Sequence, residues 1–459
     1  MSTTTTIRFP HSMFPTLRLH LLEGQDQETF ALLLGKRISA DDRTVIRVGE
    51  VVYPRPEDYA GQTIASLRLQ REFIYRELVR MQQEGRYNTL IDVHTHPFCA
   101  AGAAFSAMDD ADEQAFHGWL TETLDEIGYA SIVLSRSDYA AREWVRGESG
   151  SQVLPARIRA QIVAEDWPCA DDSLDEAEGM REILELQQGL LARSVLALGV
   201  DTLTTMMRDQ TVGIIGVGGL GSIIAENLIH SGFQSLRLFD PDCLEIANLN
   251  RIVGATYAEA EAGRCKASAV KYHLLRINPK ARVHAHITGI QDPFIVPVLM
   301  DCDWLIVATD NHASRFHAQR VALELGIPLI SAGVNISVEE GKITDMSGEV
   351  IIARYGDGLC LNCLGRINPT AVAAESSRGG RIAEELVRRG YVTGADVKEP
   401  AVKTLNSVVG AMAVDVLLNQ YTQRQGHFPI WVYENNLQFA MYPDHDSVRL
   451  RQKVCYFCT

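Results

Sequence analysis

Two histidines one residue apart, His94 and His96 in IDVHTHP, close a run that reads as a strand. Alternate residues of a strand point to the same side, so both imidazoles can reach one cation. Asp109, in FSAMDD, can complete a set of three ligands, with Asp110 beside it as a substitute. Three protein ligands leave a fourth position for water, which marks a catalytic rather than a structural zinc, and zinc brings that water to a pKa of about 7. A second donor set lies far downstream. Cys360 and Cys363 in CLNC, with Cys455 and Cys458 in CYFC, supply four thiolates, enough for a closed tetrahedral zinc site. Such a site would pin the C-terminal tail to its domain, with metal binding contributing to folding.

A third group of residues is built to hold a nucleotide. The apolar run Val212–Ile215, in TVGIIGVGGLGS, leads into Gly216, Gly218, Gly219 and Gly221, and a helical stretch, IIAENLIHSG, follows. Glycines allow a tight turn and a close approach to phosphate, and the helix N-terminus offers N–H groups and a positive dipole end. The strand SLRLFDPD then ends at Asp240, about 20 residues on, where an acid can accept hydrogen bonds from a ribose. Glycines and acid alone would also suit an NAD-dependent oxidoreductase. The next residues argue otherwise: Asp240, Asp242, Asn248, Asn250 and Arg251 in DPDCLEIANLNR, Lys266 in GRCKAS, and Asp310 at the end of the strand in LIVATDNHASR. When a carboxylate attacks an α-phosphate, negative charge builds there, and cationic side chains in a dry pocket stabilise it. Arg251 and Lys266 are the candidates. A dehydrogenase has no use for the Asn248–Arg251 cluster or for the cysteine pairs. Cys243 and Cys265, close to these motifs, read as small space-filling residues.

These groups need a scaffold. Residues 18–146 alternate strand-like runs (FALLLGKR, TVIRVGEVVY, YASIVLS) with a helical stretch, IASLRLQREFIYRELVRMQQEG, and so make an α/β domain over residues 1–150. GESGSQVLP is loop-like, and an acidic linker is expected over 151–185. A second, doubly wound α/β domain is expected over 186–459. At 459 residues the chain exceeds one ordinary core. Its 46% hydrophobic and 22% charged residues are those of a globular protein, with no apolar run of membrane-spanning length. The first residues, MSTTTTIRFPHSMFPTLRLHLLEG, lack the pattern of a signal peptide, so a cytoplasmic location is expected. A net charge of −15 argues against a broad nucleic-acid footprint. In that compartment the nine cysteines point to metal binding or catalysis rather than disulfides.

The motifs from Gly216 to Asp310, followed by the two CxxC pairs, resemble the ubiquitin-activating family, whose bacterial members include the ThiF and MoeB types. The resemblance spans roughly residues 191–459, with a slightly long gap between Arg251 and Lys266. It implies a Rossmann-like adenylyltransferase domain that uses ATP and Mg2+, with Asp240 on the ribose and Asp310 holding magnesium or ordering the site. It also implies a homodimer in which Arg193 reaches the partner subunit's ATP; a plain surface arginine is the alternative. The substrate implied is a ubiquitin-like or sulfur-carrier protein ending in Gly-Gly. Many members pass the acyl group to a cysteine beyond the first CxxC, but no cysteine occurs from Leu364 to Val454. The acceptor is therefore expected outside the chain, on a sulfur donor or a ubiquitin-conjugating-like protein.

HxHP followed by S-x-x-D, here Ser106 and Asp109, resembles the JAMM (JAB) metalloprotease family, with its cytidine-deaminase-like α/β fold. The resemblance makes Glu28, in ETFALLLGK, the general base and then acid, and Ser106 an oxyanion stabiliser. The stretch from His96 to Ser106 is longer than usual, so an enlarged loop beside the site is expected. TIM-barrel hydrolases share the HxH opening but need about 250 residues, and His117 is the sole histidine between His96 and the glycine-rich strand. JAMM enzymes cut at the C-termini of ubiquitin-like proteins. The two halves therefore imply work on one tail, by trimming a precursor or reversing a conjugate, in sulfur-carrier biosynthesis or conjugation-type antiviral defence. An adenylating scaffold with an inactive peptidase half is the alternative.

Overall fold

In the computed structural model, residues 4–10, 13–25, 27–63, 67–97, 102–124, 126–147, 150–160, 189–376, 402–436 and 439–458 are described. The chain divides into two units, Met1–Asp175 and Glu176–Thr459.

Strict alternation builds the first unit. Strand β1 (Thr4–Phe9) is followed by helix α1 (Met13–Leu22), β2 (Phe30–Ala40) and β3 (Arg43–Val52). A small ribbon, β4 (Tyr59–Gln62) and β5 (Leu67–Leu69), precedes α2 (Arg71–Glu84). Then come β6 (Thr89–Thr95), α3 (Ala107–Thr123), β7 (Gly128–Leu134), β8 (Tyr139–Gly147) and β9 (Gly150–Ala160). Seven strands close into a barrel in the order β1-β3-β2-β6-β7-β8-β9. Odd positions of β2 and β6 (Ala31, Leu33, Ile91, Val93) pack with Leu17 and Leu21 of α1. Even positions (Phe30, Leu32, Leu34, Leu90) pack with Phe73 and Met81 of α2 and Leu120 of α3. That period of two puts Asp92 and His94 on the α2/α3 side of β6.

Three sequence expectations change here. The helix expected from Ile64 begins at Arg71, because Leu67 pairs with Gln62 in the β4–β5 ribbon. The loop expected around GESGSQVLP is a hairpin turn into β9: Gly147 opposes Gly150, and Ala156 onward pairs with β1. Pro155 lies just before the β1 ladder starts, so its missing N–H costs no bond to β1. The linker expected over 151–185 therefore begins with strand, and from residue 161 onward it lies outside the described residues.

The second unit is an eight-stranded sheet in the order β12-β11-β10-β13-β14-β15-β16-β17. Its strands are β10 (Thr211–Ile215), β11 (Ser235–Phe239), β12 (Arg282–His286), β13 (Trp304–Val307), β14 (Leu329–Glu339), β15 (Lys342–Ala353), β16 (Ile430–Asn435) and β17 (Phe439–Pro443). The first five in spatial order are parallel, and the rest are antiparallel. Val212–Ile215 and Trp304–Val307 are wholly buried, as expected of strands covered on both faces. Chain order reverses between β10 and β13, which opens a crevice at their C-terminal ends, where such sheets bind ligands. The helix Lys403–Thr422 packs against the helix Gly219–Ser231 so closely that a Cβ on Gly410 would sit 2.8 Å from the Ile223 side chain. Among the described residues no helix is long and apolar enough to cross a membrane.

Candidate functional site

The crevice in the second unit is shaped mainly by backbone. Gly216 has φ +84°, and a Cβ there would stand 2.7 Å from Thr309 across the crevice. A Cβ on Gly221 would overlap the carbonyl oxygen of Gly216, so the helix Gly219–Ser231 can start only on glycine here. Gly218 faces open space, and no side chain caps this helix. The result is an N-terminus with N–H groups open to an anion. Asp240, at the end of β11, accepts the N–H of Val217 at 2.9 Å and that of Asp242 at 3.0 Å, tying the glycine turn to the next loop. Burial pushes its carboxyl above the usual carboxylate range, against the pull of those N–H groups and of Lys266.

Of the charged residues expected around this turn, Arg251 and Lys266 stand against it, through Gly219 and through Asp242. Arg251 lays its aliphatic stem against Gly219 and donates to the carbonyl of Ala247 at 3.1 Å and to Asn250 at 3.0 Å. Buried Asn248 accepts the N–H of Glu245, fixing the turn that carries Arg251. Lys266, the first residue of the helix Lys266–Ile277, forms a 2.8 Å ion pair with Asp242. Asp310 is exposed just beyond β13. Arg193 is exposed in the first turn of the helix Ala192–Leu198. Sequence reasoning missed two neighbours. Thr309 has a buried hydroxyl without a hydrogen-bond partner, and Asn406 brings its amide against Gly219. Thr309 precedes Asp310 inside LIVATDNHASR, whereas Asn406 lies about 100 residues on, outside the nucleotide motifs.

In the first unit, β6 and the start of α3 bring His94, His96 and Asp109 together, with one ligand atom from each within 4.8 Å of the others. His94 Nε2 faces Asp109 Oδ1 at 3.5 Å, and His96 Nε2 faces Asp109 Oδ2 at 3.7 Å. His94 Nε2 is buried without a hydrogen-bond partner. Two imidazoles and a carboxylate aimed at one point, with a buried nitrogen left unbonded, fit a divalent metal of the zinc type. Without a metal, burial opposes a charge on His94, but Asp109 and Asp92 outweigh it and lift the imidazole to about 10. Burial and the neighbouring His94 push His96 down.

Glu28 is 9% exposed and stands just before β2, whose Phe30 pairs with His94. Burial pushes its carboxyl up, and His94 partly offsets this. Ser106 caps α3: its Oγ accepts the N–H of Asp109, and its own N–H donates to Asp109 Oδ2 at 2.6 Å. That fixes the carboxylate of Asp109 at the start of α3. Asp110, the substitute ligand, is instead held by Arg142 at 2.5 Å. The loop expected between His96 and Ser106 falls partly outside the described residues.

Behind these residues lies a polar network that the sequence did not suggest. The Tyr129 hydroxyl donates to Asp92, whose other oxygen stands 3.8 Å from His94 Nδ1. Glu113 accepts from Ser131, from Arg142 at 2.9 Å and from Trp144 at 2.7 Å. Burial, with Asp92 nearby, pushes Glu113 up to about 7. Glu113 and Arg142 lie on α3 and β8, and neither run is read as an element from the sequence.

The four cysteines of the second unit also converge. Cys360, Cys363, Cys455 and Cys458 are buried, with their sulfurs within 4.8 Å of one another. The tail is tied beside them by Gln452 N–H on the Cys363 carbonyl at 2.9 Å and by Arg451 on the Gly358 carbonyl at 3.0 Å. Burial of clustered sulfurs pushes Cys360 up to about 12, which a bound cation would reverse.

The ThiF family model matches residues 191–453. The chain belongs to the ThiF family. A second model, of prokaryotic homologs of the JAB domain, matches residues 10–146, so the chain is a JAB–ThiF fusion. The Drosophila yakuba protein named adenylyltransferase and sulfurtransferase MOCS3 is 26% identical over 204 residues, 44% of this chain and 41% of that protein. Ubiquitin-like modifier-activating enzyme 5 of Drosophila pseudoobscura pseudoobscura is 31% identical over 203 residues, 42% of this chain and 46% of that protein. The chain thus spans less than half the length of these curated relatives. Among solved structures, E. coli MccB crystallised with MccA superposes with a TM-score of 0.47 at 17% identity, covering 61% of this chain and 76% of that one. Membership in the ThiF family sets aside the oxidoreductase reading.

Proposed function

We propose that the ThiF unit adenylates the C-terminal glycine of a ubiquitin-like or sulfur-carrier protein, and that the JAB unit is a zinc peptidase acting on the same tail. The observation that carries the first half is the cationic pair flanking the open helix N-terminus at Gly218: Arg251 against Gly219, and Lys266 held by Asp242 at 2.8 Å. In the reaction, an oxygen of the terminal carboxylate bonds to the α-phosphorus of ATP as the bond to pyrophosphate breaks. The glycine turn lets the phosphates approach backbone N–H groups. Arg251 and Lys266 stabilise the charge that builds on the α-phosphoryl oxygens. Asp240 keeps the turn in shape and offers its remaining lone pairs to a ribose, and Asp310, exposed beyond β13, would help hold magnesium. The acyl group then leaves for an outside sulfur or amine, since the stretch after Cys363 has no cysteine before Cys455.

In the JAB unit, His94, His96 and Asp109 would hold zinc, which supplies an activated water at neutral pH. Glu28, lifted by burial, takes a proton from the attacking water and returns it to the leaving amine. Ser106, fixed as a cap, donates to the oxyanion. Cys360, Cys363, Cys455 and Cys458 would hold a second, structural zinc. A homodimer in which Arg193 serves the neighbouring ATP site completes the reading.

The test is ATP–pyrophosphate exchange with a Gly-Gly-tailed ubiquitin-like protein. Exchange should require that protein and fall at least about 100-fold in Arg251→Ala; exchange that ignores the protein or survives this change refutes the adenylation half. For the peptidase, a tail-extended substrate should be shortened by the native chain and left intact by Glu28→Gln.

A further inference from the structure

Cys243 and Cys265 have no part in the reading above, yet their placement is specific. They oppose each other in an isolated antiparallel bridge between the loop after β11 and the start of the helix Lys266–Ile277. The hydrogen bonds lie on either side of the pair: Leu244 N–H to the Arg264 carbonyl at 2.8 Å, and Lys266 N–H to the Asp242 carbonyl at 2.9 Å. Cys243 and Cys265 are therefore a non-hydrogen-bonded pair, the kind whose α-carbons come to about 4.5 Å and whose side chains lie closest. That separation falls within the range a disulfide spans. Their sulfurs are already 3.9 Å apart. Both are open to solvent, Cys243 exposed and Cys265 partly so, whereas Cys302 and the four-cysteine cluster are buried.

The flanks hold the register. Leu244 is buried. Arg264 is fixed by a 2.6 Å ion pair with Glu259 and by its guanidinium 4.2 Å from the Tyr272 ring centre. The residues next to the cysteines are Asp242 and Lys266, the ion pair beside the nucleotide turn. Small space-filling residues would not need to be two thiols facing each other at this point.

We propose that Cys243 and Cys265 form a reversible disulfide that holds Lys266 on Asp242 and so slows use of the nucleotide. The oxidant is a peroxide. One of the two thiols attacks a peroxide oxygen and becomes a sulfenic acid, releasing one water. The other thiol then attacks that sulfur, and the second water leaves. Two thiols and one hydrogen peroxide thus become one disulfide and two waters, and a small dithiol reverses the change. Closing the bond brings the sulfurs from 3.9 Å to about 2.05 Å. That movement ties together the two backbone segments that carry Asp242 and Lys266, and so opposes any shift of Lys266 towards a phosphate.

The effect on activity rests on the adenylation reading; the cross-link itself does not. The experiment treats the zinc-loaded full chain with hydrogen peroxide, then maps peptides without reduction and measures ATP–pyrophosphate exchange and ATP binding by calorimetry. The expected result is a single linked species joining the Cys243 and Cys265 peptides and exchange lowered at least about tenfold, both restored by dithiothreitol. Cys243→Ser should lose the link and keep its exchange under peroxide. No Cys243–Cys265 link, or linkage of either cysteine mainly to another residue, overturns the proposal. So does a link that leaves exchange unchanged. Should the reduced chain show no exchange at all, the adenylation reading fails separately. The peptide map then decides the link, and ATP affinity that is unchanged by it overturns the latch.

Discussion

The two sites of this chain are made from different material. The ThiF crevice is backbone: Gly216, Gly218 and Gly221 shape it, one buried carboxylate, Asp240, ties it, and its cations stand at the rim. The JAB site is side chain throughout: two imidazoles, Asp109 and Glu28 are held against a buried network of Asp92, Tyr129, Glu113 and Arg142. The backbone site tolerates no added atom at Gly216 or Gly221, and its charges stand around a shape that the glycines set. A side-chain site tolerates changes of size but depends on metal and pH. Each difference can be tested by substitution.

The largest effect is expected at Gly221. Gly221→Ala forces a Cβ into the Gly216 carbonyl, so exchange should drop by about 100-fold or more, with the ThiF unit destabilised by about 1–3 kcal/mol in thermal melts. Near-native exchange in this variant would break the claim that backbone shapes the crevice. Next is Cys455→Ser. It should remove one of two zinc ions per chain by elemental analysis and lower the melting temperature of the ThiF unit, while JAB cleavage persists. Asp240→Asn comes third. It keeps an acceptor for one N–H but loses a charge-assisted bond, worth about 1.5–3 kcal/mol, and exchange should fall about tenfold.

The smallest effect concerns pH in the metal-free JAB unit. Glu113 titrates near 7 when folded, against an ordinary 4.5, because it is buried beside Asp92. The folded state binds its proton more tightly. That contribution is whole below the ordinary value and is lost as pH rises to about 7, so stability should fall across this window. Glu113→Gln should flatten the slope. An unchanged slope would mean that the network does not govern the unit's charge balance.

The same contrast explains what could be read from the sequence. The glycine turn, Asp240 and the Asn248–Arg251–Lys266 series were legible because backbone geometry admits few residues at each point. The clustering of the two CxxC pairs and of the HxH with Asp109 was legible because paired donors at short spacing leave a plain mark in the sequence. The Asp92–Tyr129 and Glu113–Arg142 contacts were not, because they join residues from β6, β7, β8 and α3 that only the barrel brings together. The barrel closure was hidden for a related reason. Strand β9 has Gly and Ser at its start and Pro at its middle, and the closure rests on its pairing with β1, at the far end of the domain sequence. Cys243 and Cys265 passed as filler because a bridge between two loops leaves no periodic trace.

The most direct measurement is the intact mass of a Gly-Gly-tailed ubiquitin-like protein after incubation with the chain and MgATP, quenched in acid. The account predicts a species heavier by one AMP minus water, located on the C-terminal carboxylate and absent with Arg251→Ala. A protein whose mass never changes, while ATP is bound and the fold is intact, would contradict it.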